Sequence, residues 1–198
     1  MDKTTKTVLI VIGSLLVLCA CTSAALLGTG IWSLGKLVQF AESNTTEDPQ
    51  KVTKVASEIA RFNVPDGFNP VYSMRIADFT MAQYMTRDEK SVILLTQFPQ
   101  GTSINMDEMM RQIQEGSRRQ NSPWYNMDTA LVEQKPVIIR GEETTLSISE
   151  GTDDKGVTYR MASTTFQGNG GGRTVLMVVA PADQWNDGMV KDFIASIQ

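Results

Sequence analysis

The sequence predicts an α+β fold: an antiparallel β-sheet sandwiched by helices and preceded by one transmembrane helix. Three observations lead there. The first fifth of the 198 residues holds a long uncharged run, capped amphipathic stretches open and close the remainder, and strand-like apolar runs lie between them. The expected organisation is a cytoplasmic start over 1–6, a span over 7–36, a linker over 37–48 and an extracytoplasmic α+β domain over 49–198.

Thr7 to Gly35 form an uncharged run of 29 residues. As a helix rising about 1.5 Å per residue it would reach about 43 Å, more than the roughly 30 Å of a bilayer core, so tilt or protrusion is expected. Trp32 suits the interface at the far end, while Lys3 and Lys6 flank the near end and place the amino terminus inside. The expected localisation is therefore a single-pass membrane protein with its carboxy-terminal domain outside the cytoplasm. Two other readings stay open. Val8 to Leu18 has the apolar stretch of a cleaved signal peptide. Leu18-Cys19-Ala20-Cys21 resembles a lipoprotein box, with Cys21 as the lipidation site. Ala20, Ala24 and Gly28 form a small-residue row through which two such helices can pair as a homodimer.

The linker includes Glu42-Ser43-Asn44-Thr45-Thr46-Glu47. Asp48-Pro49 then opens a helix, a carboxylate N-cap followed by proline at the first position. Val52, Val55, Ile59 and Phe62 share one face of it, and the turn Val64-Pro65-Asp66-Gly67 follows. Phe79, Met81 and Met85 alternate with polar or smaller residues, Arg87 to Lys90 makes a charged turn, and Val92-Ile93-Leu94-Leu95 returns as a strand apolar on both faces. Asn105 with Glu108 starts a second helix whose face is Met106, Met109, Met110 and Ile113. A polar loop runs from Gly116 to Asp128. Strand patterns recur at Val137-Ile138-Ile139, at Leu146 and Ile148, at Val157, Tyr159 and Met161, and at Val175 to Val179. Pro181-Ala182-Asp183 starts a last helix with Trp185, Met189, Phe193 and Ile197 on one face.

Composition excludes several chemistries. There is no histidine, so no Ser-His-Asp triad and no His-ligated metal is available. Both cysteines, Cys19 and Cys21, lie in the apolar run, which leaves the rest without a disulfide or a thiol nucleophile. Of 18 basic and 22 acidic residues, Lys3, Lys6, Lys36 and Asp2 precede Leu37, leaving 15 basic against 21 acidic, a net charge of about −6. That sign argues against nucleic acid as a partner.

The segment Phe62-x-Val64-Pro65-x-Gly67-Phe68 and the ending Trp185 through Phe193-Ile194-Ala195-Ser196-Ile197 resemble the opening and closing motifs of PsbP-like domains. The resemblance covers most of Asp48 to Gln198 as an order of elements with two short anchors. It implies an α/β/α sandwich and an accessory or binding role, and it carries no catalytic residue over.

Candidate chemistry is sparse. Met74, Met81, Met85, Met106, Met109, Met110 and Met127 offer thioethers for Cu(I), but methionine at such spacing also fills a buried face. Glu150-x-x-Asp153-Asp154 lacks the ligand alternation of a calcium loop and reads as a solvated turn. Gly170-Gly171-Gly172-Arg173 has amides and a cation for an anion, yet it precedes a strand and reads as a hairpin tip. Arg118 and Arg119 followed by Trp124 and Tyr125 form the candidate interaction surface, because aromatics beside arginine are common in recognition patches. No cofactor is expected. The expected function is a membrane-anchored, non-catalytic binding or accessory module with a membrane or envelope protein partner. The alternatives are a carboxylate-based cell-envelope hydrolase and a lipoprotein binding a small apolar ligand.

Overall fold

The computed structural model describes residues 44–102 and 127–198. The elements below belong to one compact unit, Asn44–Ser103 with Asp128–Gln198. In chain order they are β1 (Thr45–Thr46), α1 (Pro49–Ile59), β2 (Phe68–Ile76), β3 (Phe79–Thr86), β4 (Val92–Gln97), β5 (Asp128–Ile139), β6 (Glu142–Thr152), β7 (Thr158–Gln167), β8 (Arg173–Pro181) and α2 (Asp187–Ala195). The strands form one antiparallel sheet in the order β1-β2-β3-β4-β8-β7-β6-β5.

Register and the two-residue period of a strand sort the side chains into two faces. Tyr84, Ile93, Val178, Ala162 and Ile148 follow one another across the sheet on the first face. Leu95 and Leu176 lie beside them, and all are buried. Both helices feed this same core: α1 with Ala56 and Ile59, α2 with Val190, Phe193 and Ile194. Phe62, just past α1, meets Tyr84 and Phe193 edge-on at 5.8 and 5.4 Å between ring centres. The tail after α2 is stitched to the segment after α1 by a reciprocal backbone pair, Arg61 N–H to the Gln198 carbonyl at 3.1 Å and Gln198 N–H to the Arg61 carbonyl at 2.8 Å. The second face carries Met74, Met81, Val175, Met177 and Val179, also buried, so β8 is apolar on both sides. Met74 and Met81 stand directly opposite each other within this packing.

Local chemistry explains the element ends. Asp48 caps α1 by accepting the Gln50 N–H at 2.9 Å and the Lys51 N–H at 3.3 Å, with Pro49 in the first turn. An ion pair between Arg75 and Glu58 ties α1 to β2. The β3–β4 turn is held by the Thr86 hydroxyl donating to Asp88 at 2.6 Å, and this bond holds the Asp88 carboxyl below the usual carboxylate range. The β2–β3 hairpin closes through Ala77 and Asp78, and Ala77 sits in the left-handed region at φ 51°. A Cβ is disfavoured there, so Ala77→Gly is expected to stabilise the protein by about 0.5–1 kcal/mol, after the entropic cost of glycine. The check is a denaturant midpoint that rises at unchanged slope; a midpoint that falls refutes the strain.

Several expectations need correction. The helix-sandwiched architecture implied by the PsbP-like resemblance is not what forms: the described residues make an eight-stranded antiparallel sheet with two short helices, both on one face. The reason is that more chain enters the sheet than the patterns suggested. β2 occupies residues that carried no strand expectation, and β5 takes in the stretch before Val137. The final helix starts at Asp187 with Asn186 as N-cap, which leaves Trp185 ahead of it and Ile197 behind it. The expected helix from Asn105 lies outside the described residues.

The transmembrane, single-pass and extracytoplasmic assignments are corrected as well. No helix among the described residues is long and apolar enough to cross a membrane. α1 and α2, of 11 and 9 residues, reach only about 16 and 14 Å against a bilayer core of roughly 30 Å. The expected span over 7–36, with Cys21 and the row Ala20, Ala24 and Gly28, lies outside the described residues.

Candidate functional site

Among the described residues, β5 is the long margin of the sheet. It runs for 12 residues, has β6 on one side, and among the described residues has no strand on the other. At the opposite margin β1 is only two residues long. A two-residue turn, Arg140-Gly141, joins β5 to β6, and both residues have positive φ, 55° and 80°. This matches the right-handed twist of the flanking strands and fixes the register from Ile139 opposite Glu142 onward. Arg140 holds the strained position while its guanidinium donates to the Gln167 carbonyl at 2.7 Å.

Side chains along β5 alternate as the register demands. Ile139 is buried in the first-face core and Val137 packs against it. Gln134 faces the other way and donates from Nε2 to the Ser147 hydroxyl at 3.1 Å. Glu133 and Lys135 share the first face and lie 3.3 Å apart. A bulge at Leu131–Glu133 sets an extra residue, Val132, into the strand. Leu131, Val132 and Ile138 are then exposed by 58, 51 and 70 %. Those are three of the five exposed large hydrophobics among the described residues, so exposed apolar surface concentrates on this strand.

Other candidates are spent on structure. In the glycine-rich loop, Gly168 N–H donates to the Gly172 carbonyl, Gly171 N–H to the Gly168 carbonyl and Asn169 N–H to the Ile59 carbonyl. Asn169 Nδ2 also reaches the Ser57 carbonyl at 3.2 Å. The glycine bonds close the loop on itself and those of Asn169 hold it to the end of α1, so these amides do not serve an anion. The cleft beside the loop, about 270 Å³, is lined by Arg140, Glu142, Gln167, Gly168, Asn169 and Gly171, a polar set unsuited to an apolar ligand.

The acidic turn is likewise a cap. Asp153 Oδ1 accepts the Lys155 and Val157 N–H groups at 2.9 and 2.8 Å. Burial, together with the Asp153 charge, pushes the Tyr159 phenol up from its ordinary value. Glu150 accepts from Arg160 Nε at 2.5 Å. Arg160 also stands 5.9 Å from the centre of the Trp185 ring, and Trp185 Nε1 donates to Asp187 at 2.7 Å. This cluster latches the start of α2 to β7. Glu150, partly buried, and Asp153, buried, therefore each have a structural partner, and no group of three or more acids able to hold a metal occurs among the described residues.

The residues singled out for recognition, Arg118, Arg119, Trp124 and Tyr125, lie outside the described residues. The exposed margin does not stand out in the sequence, because Pro136, Glu133 and Lys135 interrupt the apolar run that would mark a strand. Ala130-Leu131-Val132 was the available signal, ahead of Val137-Ile138-Ile139. No protein-family model matches the chain, and no curated protein matches it.

Proposed function

We propose that the protein is a non-catalytic binding or accessory module that takes a protein partner along β5. The observation that carries this reading is the exposure of Leu131, Val132 and Ile138 on a 12-residue marginal strand. Such an edge presents backbone donors and acceptors for strand addition, and the exposed side chains supply apolar contact at the same place.

The test is position-specific crosslinking of the full chain in its native cells. A photoreactive residue at position 138 is expected to give discrete adducts, reduced when Leu131 is changed to lysine. The same residue at position 54, exposed on α1, is expected to give none. Equal labelling at both positions, or no adduct at 138, removes the reading.

A further inference from the structure

We infer that the partner taken up along β5 is a second copy of this chain, paired antiparallel about a two-fold axis through Gln134. The inference rests on the reading of β5 as a binding edge and goes further by naming what binds.

Glu133 and Lys135 flank Gln134 on one face of the strand and are exposed by 47 and 41 %. An antiparallel pair centred on Gln134 sets Glu133 opposite Lys135 of the second copy, and Lys135 opposite Glu133 of the second copy. Directly opposed residues of an antiparallel pair point to the same face, so both contacts are between opposite charges. The charge pattern of β5 is thus complementary to itself about its own midpoint. A strand carrying two like charges there would repel its copy.

The apolar residues follow the same symmetry. The pairing brings Val132 opposite Pro136 of the second copy, and Ile138 towards the Ala130–Leu131 stretch beyond the bulge. The three exposed large hydrophobics of β5, Leu131, Val132 and Ile138, are then brought together with those of the second copy.

Backbone chemistry limits how far the pairing runs. Pro136 has no N–H for the β6 ladder, so its nitrogen faces outward, and the outward groups on this part of the strand belong to Gln134, Pro136 and Ile138. Gln134 of each copy can exchange both of its backbone bonds with its counterpart. Pro136 removes one donor on either side of that centre, and the bulge bends the strand beyond it. What remains is a short central ladder. A two-fold pairing uses the same edge of both copies and leaves no long edge to recruit a third. One strand pair lies at the small end of stable interfaces, so the dimer is concentration-dependent, with a dissociation constant on the order of micromolar.

The experiment is sedimentation of the full chain across concentration, in a neutral detergent because of its 29-residue uncharged run. The wild type is expected to pass from 21.8 kDa to twice that mass. Glu133→Lys and Lys135→Glu each place like charges opposite each other, and each is expected to weaken self-association about tenfold. An equimolar mixture of the two single variants is expected to recover dimerisation, as is the double variant E133K/K135E, which restores complementarity with the signs exchanged. Both side chains are well exposed, and an unchanged thermal midpoint verifies that folding is intact.

The inference is overturned if the wild type stays monomeric, or if the mixture associates no better than its components. It is equally overturned if the single variants dimerise like the wild type, as a dimer held by Ala20, Ala24 and Gly28 would. Should that happen while position 138 still crosslinks to a different protein, β5 remains a binding edge and only the identity of its partner falls. A failure of both experiments removes the edge altogether.

Discussion

Gly172→Ala is expected to destabilise the protein by about 3 kcal/mol or more, the largest effect expected of a methyl group added at any glycine among the described residues. A Cβ at Gly172 would overlap the backbone carbonyl oxygen of Phe98, and a backbone atom directly after β4 has less room to withdraw than the end of a side chain. Phe98 N–H already donates to the Arg173 carbonyl at 2.9 Å, so the two segments are bound where the methyl would intrude. Neighbouring glycines face crowding by side chains instead of backbone: a Cβ at Gly168 would meet the amide end of Gln97 and the Thr174 hydroxyl, and one at Gly170 would meet the amide end of Gln97. The expected order of damage is therefore Gly172 first, then Gly168 and Gly170. Thermal unfolding checks it, with a fall of about 6–12 °C for Gly172→Ala in a chain of this size. A variant as stable as the wild type would show that the loop tolerates bulk, and would reopen a ligand role for its glycines.

Phe193→Ala is expected to cost about 3–5 kcal/mol, the range for removing a buried aromatic ring. Phe193 is almost wholly buried and packs edge-on against Phe62, which itself packs against Tyr84 of β3. The ring thus joins α2 to the segment after α1 and to the sheet. Its loss leaves α2 held by the smaller apolar side chains Val190 and Ile194, the Arg160–Trp185–Asp187 cluster and the Arg61–Gln198 backbone pair. The measurement is hydrogen exchange alongside denaturant unfolding. Amides of α2 are expected to lose more protection than those of β8, because α2 can detach while the central strands remain paired. Uniform loss in both elements would mean that α2 and the sheet open only together.

How much was readable beforehand differs from one element to another. The α1 start was legible down to the residue, since Asp48-Pro49 is a local code: a carboxylate that accepts amides and a proline that needs none. The Arg87–Lys90 turn and the burial of β8 were legible for similar reasons, charge in one case and an unbroken apolar run in the other. The helix-sandwiched arrangement was not, and neither was β2. Phe68 to Ile76 contains Asn69, Pro70 and Arg75, which break the alternation, and the strand forms because β3 stands ready to pair with it. Spacing alone puts Trp185 on a helix. Asn186 captures the Met189 N–H at 3.0 Å instead, and the cap starts the helix two residues beyond it.

The candidate site shows the same division. Leu131, Val132, Glu133 and Lys135 are plain in the sequence, but nothing local says that they belong to the outermost strand. Their exposure depends on β5 coming last in an order that runs β4-β8-β7-β6-β5, with β8 inserted beside β4 from far along the chain. Sequence by itself determined where amides need caps, where turns need charge or glycine, and which chemistries lack their residues, since those follow from side chains and their immediate neighbours. Only the tertiary structure decided which strand is left at the margin and which glycines are crowded. Both depend on contacts between segments distant in the chain, and side-chain periodicity carries no record of them.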